Sequence, residues 1–280
     1  MTILTIARTT FGEAIRKRVL MIFFGVTVAI VPLSMLFGFF SFRQEMTMIK
    51  SFGLGMIGIA GLLIALIMGV QLAPAEIERR TIYTILSKPV NRYEFLLGKF
   101  LGAVFALFLT TLLMGLAFML AVTLKLYGGQ FESWKLAHIA AGLRYLFAGL
   151  APTFGALTPG ITLIFFELMM VVALAVFFST FLGPWVNFFA TSAMFLVGSL
   201  SATTSSLMRN PENPVGRVFA AIIHYIVPQF GNFQVLNPII QPSFLVKDFR
   251  LYVCENIIYA LLVCVALMVF SVWIFEKKEV

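Results

Sequence analysis

Apolar residues in this chain come in long runs rather than in the alternation of a half-buried strand. The runs 19–40, 52–72, 95–124, 161–182, 185–207 and 253–275 are almost free of charge. About 20 helical residues at ~1.5 Å each cross the ~30 Å hydrocarbon core of a bilayer. The pattern therefore predicts an all-α integral membrane protein with six transmembrane helices in one domain, 1–280. The third run is long enough to tilt or to project, and Gly183-Pro184 alone separates the fourth from the fifth, a tight hairpin break. Ahead of the first run, residues 3–18 place Leu4, Ala7, Phe11, Ala14 and Ile15 at helical spacing, with Arg8, Glu13, Arg16 and Lys17 on other faces. This predicts an interfacial helix lying along the bilayer. The run 19–40 exceeds a signal-peptide core and no small-residue cleavage site follows it, so it is expected to remain as the first span.

Composition agrees. Of 280 residues 61% are hydrophobic and 11% charged, with a mean hydropathy of +1.01, whereas soluble domains are nearer half apolar and a quarter charged. A net charge of +8 raises nucleic acid as a partner, but the basic residues are scattered at the ends of apolar runs, so the partner expected is the lipid bilayer and not nucleic acid. Cys254 and Cys264 fall in or beside one apolar run, ~15 Å apart on a helix, too far to pair. His138 and His224 have no ligand-spaced companions, and Met169-Met170 reads as packing, so no metal site is expected. Neither a phosphate-binding Gly-x-x-x-x-Gly-Lys-Ser/Thr, a Gly-x-Ser-x-Gly nor a His-Glu-x-x-His occurs. The chain is thus read as no enzyme, with no cofactor of its own.

One charged stretch interrupts the runs. Residues 76–92, between spans two and three, carry Glu78, Arg79 and Arg80 largely on one side of a short helix and Ile82, Ile85 and Leu86 on the other. Pro89 ends that helix, and Asn91 with Glu94 three residues on has the form of a capping box that starts the next. The expected result is helix, hinge, helix. Here the sequence resembles the permease subunits of type-2 ABC (ATP-binding cassette) exporters. Glu78, Thr81, Leu86, Ser87, Pro89, Val90, Arg92, Leu97, Gly98 and Lys99 fall where those subunits carry their cytoplasmic coupling segment, although Arg80 stands where the family commonly has Gly.

The resemblance implies a permease that exports a substrate using ATP and Mg bound by a separate nucleotide-binding ATPase subunit. It also implies a second permease copy, the same chain or a close paralogue. The coupling residues it implies are Glu78, Arg79, Arg80, Thr81, Ile82, Ile85, Leu86, Pro89 and Arg92.

Orientation follows from charge density. An even number of spans puts both termini on one side, where Arg16, Lys17, Arg18, Arg79, Arg80, Lys277 and Lys278 sit in short segments against membrane ends. That side is expected to be cytoplasmic, in a multi-pass protein of the cell (inner) membrane. Opposite it run two long connections, 127–160 and 208–252, the second broken by five prolines into short outer helices such as 215–227. They read either as interfacial packing or as a lid over an exit path. Glu167 stands alone among Phe and Met inside the fourth run, where a charge is costly unless paired, hydrated or protonated. Two readings stand side by side: a residue of the path or of the contact between two subunits, or a neutral, hydrogen-bonded structural group. Glu167 also supports the alternative of a secondary transporter or channel with an ion or proton site, and a membrane anchor for an assembly factor is a third.

Overall fold

The computed structural model describes residues 2–16, 25, 45–71, 92–127, 136–200, 221, 224–225, 227–233 and 249–277. Among them are six α-helices and no strand: α1 Thr2–Arg16, α2 Glu45–Gln71, α3 Arg92–Tyr127, α4 Leu136–Ser179, α5 Pro184–Ser199 and α6 Phe249–Lys277, with a short 3-10 helix, Phe230–Phe233, between the last two. Four stretches are long and apolar enough to cross a membrane: Met48–Val70, Tyr93–Leu126, Thr153–Ser179 and Phe249–Lys277. The first expected span, 19–40, lies outside the described residues apart from Gly25, which is helical. The last seven residues of the fifth, 201–207, lie outside them as well.

The bundle is built around α4. Every residue of 167–176 is buried, which is nearly three turns with no face left to solvent or lipid. A helix that is apolar all round belongs in the middle of its neighbours. Glycines let those neighbours approach. A Cβ on Gly61 of α2 would overlap the Leu168 side chain, and one on Gly69 would overlap Ala175. Gly115 of α3 does the same for Ile161, whose Cδ1 would lie 2.9 Å from an added Cβ. Of the glycines at 53, 55, 58 and 61 of α2, Gly53 meets the Phe118 ring and Gly61 meets α4, while Gly55 and Gly58 have no described side chain within 4 Å of an added Cβ.

These contacts also fix direction. Gly61 pairs with Leu168 and Gly69 with Ala175, so α2 runs parallel to α4. Gly115 pairs with Ile161 and Phe108 stacks on Phe165 at 5.4 Å, so α3 runs against it. After Ser179 the chain turns through Gly183 in extended conformation, φ −68° and ψ 162°, with Pro184 starting α5 where no N–H is needed. Leu182 N–H donates to the Phe178 carbonyl at 2.8 Å and closes the turn.

Two differences from the sequence reading have physical causes. The outer connection expected over 127–160 is largely helix: α4 begins at Leu136 and continues for 44 residues, about 66 Å, twice the hydrocarbon thickness. Pro152 and Pro159 lie inside it, and in an apolar helix hydroxyls can compensate a disturbed ladder. Around Pro159, Thr158 donates to the Phe154 carbonyl and Thr162 to those of Thr158, at 2.6 Å, and Pro159, at 3.0 Å.

Secondly, the N-terminal helix expected to lie along the bilayer runs side by side with α3. Gly98 meets Ile3 and Ile6, Gly102 meets Ala7 and Thr10, and Phe105 packs on Phe11 at 4.9 Å, in register and in the same direction. The apolar stripe of α1 fits either a bilayer or a helix, and the two glycines offer it a groove.

That groove gives a test. A Cβ at Gly102 would lie 2.6 Å from the Ala7 carbonyl oxygen and 2.7 Å from Thr10 Cβ, and the former is backbone and cannot swing away. Gly102→Leu is expected to lift α1 off α3 at a cost of about 1–3 kcal/mol. Thiol labelling of an Ala14→Cys variant, buried in the parent, measures it. Unchanged protection would show that α1 is held elsewhere.

Candidate functional site

The directions of the helices bring several termini to one end of the bundle. The C-termini of α2 and α4 and the N-terminus of α3 share it, as does the turn into α5. At the other end of α5, Phe195 packs on Phe230 at 5.1 Å, and Gly198 lies against the Pro228 carbonyl. There the start of α6 receives the 3-10 segment: Tyr259 Oη accepts from Gln229 N–H at 2.9 Å, and Tyr252 Oη donates to the Asn232 carbonyl. The C-terminus of α6 is therefore back at the shared end, together with α1. Gln71, ahead of the expected coupling segment, and Arg92, its last residue, both emerge there.

Of the expected coupling residues, Glu78, Arg79, Arg80, Thr81, Ile82, Ile85, Leu86 and Pro89 lie outside the described residues. Arg92 is the first residue of α3, immediately after Asn91, and Glu94 falls in the first helical turn, where a carboxylate suits the exposed N–H groups. Both flanking helices are braced at this end. Gly69, two residues before Gln71, is seated on Ala175 of α4, and Gly98 and Gly102 of α3 are seated on α1. Lys99, between those glycines, is buried, with Nζ 5.6 Å from the Phe95 ring centroid. The sequence marked Lys99 only through its place in the family pattern, because a lysine near a span end is ordinarily exposed.

Glu167 is buried, at 8% exposure, in the central stretch of α4. It lies twelve residues, or ~18 Å, from the end of α4 at Ser179, close to mid-membrane depth. Its neighbour Leu168 is the residue against Gly61 of α2. Charged residues in the buried set, among those described, are Glu167 and Lys99 alone.

A polar clasp escaped the sequence reading. Asn187 of α5, fully buried, donates from Nδ2 to the Ala175 carbonyl of α4 at 3.0 Å, and its Oδ1 accepts from Thr191 at 2.9 Å. An Asn followed four residues later by Thr was the only signal. The bond is made one turn before the end of α4, so it fixes the α4–α5 hairpin at the shared end. Interhelical bonds of this kind are worth about 0.6 kcal/mol on average and up to about 1.7. Asn187→Ala, which also strands the Thr191 hydroxyl, is expected to lower stability by about 1–2 kcal/mol in detergent unfolding. A change below the error of the measurement would show the clasp to be replaceable by water.

Among the described residues no cluster of His, Cys, Asp and Glu could hold a metal, and Cys254 and Cys264 are free thiols on α6. A comparison with curated proteins finds no significant match. A family described as "ABC-2 family transporter protein" matches residues 4–280. The match covers nearly the whole chain, the four membrane-crossing helices included, and the chain belongs to the ABC-2 transporter family as a multi-pass membrane permease.

Proposed function

We propose that this chain is the permease subunit of an ATP-driven exporter in the cell (inner) membrane, with both termini and residues 76–92 in the cytoplasm. It works with a separate nucleotide-binding ATPase subunit, which holds the ATP and Mg, and with a second permease copy. The permease itself carries no cofactor and performs no hydrolysis. Export runs outward along a path that passes Glu167. The observation that carries this reading is the placing of Gln71 and Arg92 at one end of the bundle, each on a helix braced by glycine contacts within a few turns. A push on the 76–92 segment is delivered to α2 and α3 together. Because α2 is seated on α4 through Gly61 and Gly69, the movement reaches the central helix, and with it Glu167. The face of α2 at Gly55 and Gly58, which no described residue covers within 4 Å, is where a further helix, the second copy included, could approach.

Docking energy concentrates in few residues, and exchanging two charges across an interface can cost several kcal/mol. Reversing Glu78 and Arg79 together keeps net charge and helix propensity. Normal membrane insertion is expected, with the ATPase subunit lost on co-purification, or retained with hydrolysis no longer tied to transport. The same exchange at Lys247 and Asp248, in the connection expected on the outer side, is the control and should leave the partner bound. Equal partner binding and transport in both variants would reduce residues 76–92 to a plain loop.

Glu167→Gln keeps the shape and removes the ionisable group. Export is expected to fall severalfold while insertion and partner binding persist. Full activity would leave Glu167 a structural group. Persistent ion-coupled transport without any ATPase subunit would favour a secondary transporter.

A further inference from the structure

α6 is the least buried of the four membrane-crossing helices: 22% of its most apolar window is buried, against 50–61% in the others. It leans on α4 but diverges from α3. Between the two lies a cavity of about 700 Å³ walled by Leu97 and Val104 of α3 and by Leu261, Val265 and Val269 of α6, and floored by Met169 of α4. Val265 and Val269 are each 62% exposed and Leu101 is 47% exposed, so the lips of the groove open sideways to the membrane.

Its dimensions select the occupant. From Leu261 to Glu276 is fifteen residues, ~22 Å along α6, more than the ~15 Å of one leaflet. Spread over that length the volume, which is the space open to atom centres, gives a mean cross-section of ~30 Å², and adding ~1.4 Å of atomic radius at each wall makes the groove ~9 Å across. A helix with its side chains needs ~10–12 Å and does not fit. A hydrocarbon chain, whose carbons pack at ~4 Å, does. The mouth has a different chemistry. Tyr93, Trp273 and Glu276 ring it, and Lys277 places Nζ 3.7 Å from the Trp273 ring centroid. Tyr and Trp at a helix end mark headgroup depth, and Glu276 and Lys277, consecutive in sequence, bring a carboxylate and an ammonium to that depth.

We infer that this groove is a binding site for a zwitterionic phospholipid of the adjoining leaflet, its acyl chain along α3 and α6, its amine at Glu276 and its phosphate at Lys277. Such a lipid fills the seam that protein side chains leave open and makes α6 move with α3. α4 closes the floor, so the lipid is a resident of the seam and not cargo on its way to the centre.

The test uses Trp273 as reporter, in full-length protein carrying Trp134→Phe and Trp185→Phe, reconstituted in phosphatidylglycerol vesicles. A minor fraction of brominated-chain phosphatidylethanolamine or, separately, of brominated-chain phosphatidylglycerol is the quencher. Trp185, 79% exposed at the same end of the bundle, gives the baseline for ordinary surrounding lipid in a chain that keeps it and lacks Trp273. Phosphatidylethanolamine is expected to quench Trp273 about two- to fivefold more than phosphatidylglycerol, as an ion pair at a partly wet site gives, while Trp185 shows no preference. Val265→Phe with Val269→Phe, on the exposed lips, fills the groove and should abolish the excess, and Glu276→Gln should abolish the preference for the amine. Equal quenching of Trp273 by both lipids, or an excess that survives the filled groove, overturns the proposal.

Discussion

Burial of α4 on every side is the constraint from which the rest follows. Each residue of 167–176 has neighbours, so α2, α3, α5 and α6 all find their positions against one helix. Lipid is as apolar as leucine, so no hydrophobic drive brings the helices together, and close packing with occasional interhelical hydrogen bonds must do it. Glycines at 61, 69 and 115 provide the close approach, and Asn187 provides the bond. Both act on α4.

A bundle held in this way transmits displacement well. Packed interiors resist compression, so a helix seated on α4 at two points cannot shift alone. Gly61 and Gly69 are eight residues apart on α2, about two turns, and lock its lower half to α4. α3 is held from two sides, by α4 at Gly115 and by α1 at Gly98 and Gly102. The connection between α2 and α3 thus joins two helices that are each fixed to something else, which is the mechanical arrangement a coupling element needs.

Much of this architecture was legible because apolar runs state their own length. α2, α3 and α6 cover 52–71, 95–124 and 253–275 of the expected runs with a few added residues, and the Gly183-Pro184 break is where the chain turns. The length of α4 was not legible: Pro152, Pro159 and the glycines around them carry the signature of a loop in water, and only in an apolar setting does the helix run through them. Nor was the placing of α1, since an amphipathic stripe is the same whether it meets lipid or Gly98 and Gly102. For the candidate site, Glu167 stood out because charge in an apolar run is conspicuous, whereas Asn187 and Lys99 did not, being residues whose burial depends on a neighbour far away in sequence.

Lys99 and Glu167, the two charged residues in the buried set among those described, divide the bundle in a telling way. Lys99 sits within two turns of the start of α3, at the end where Arg92, Glu94 and the termini gather, while Glu167 lies ~18 Å from that end along α4. Removing a charge from water is costly at both places, and more so at mid-membrane depth. A lysine near a span end can keep its apolar stem in the bundle and its head close to the polar zone; a glutamate in the middle has too short a side chain for that. Packing alone would have filled position 167 with one more leucine at no such cost. The export path proposed past Glu167 would give that carboxylate a use at the centre of α4, the helix against which its neighbours are seated.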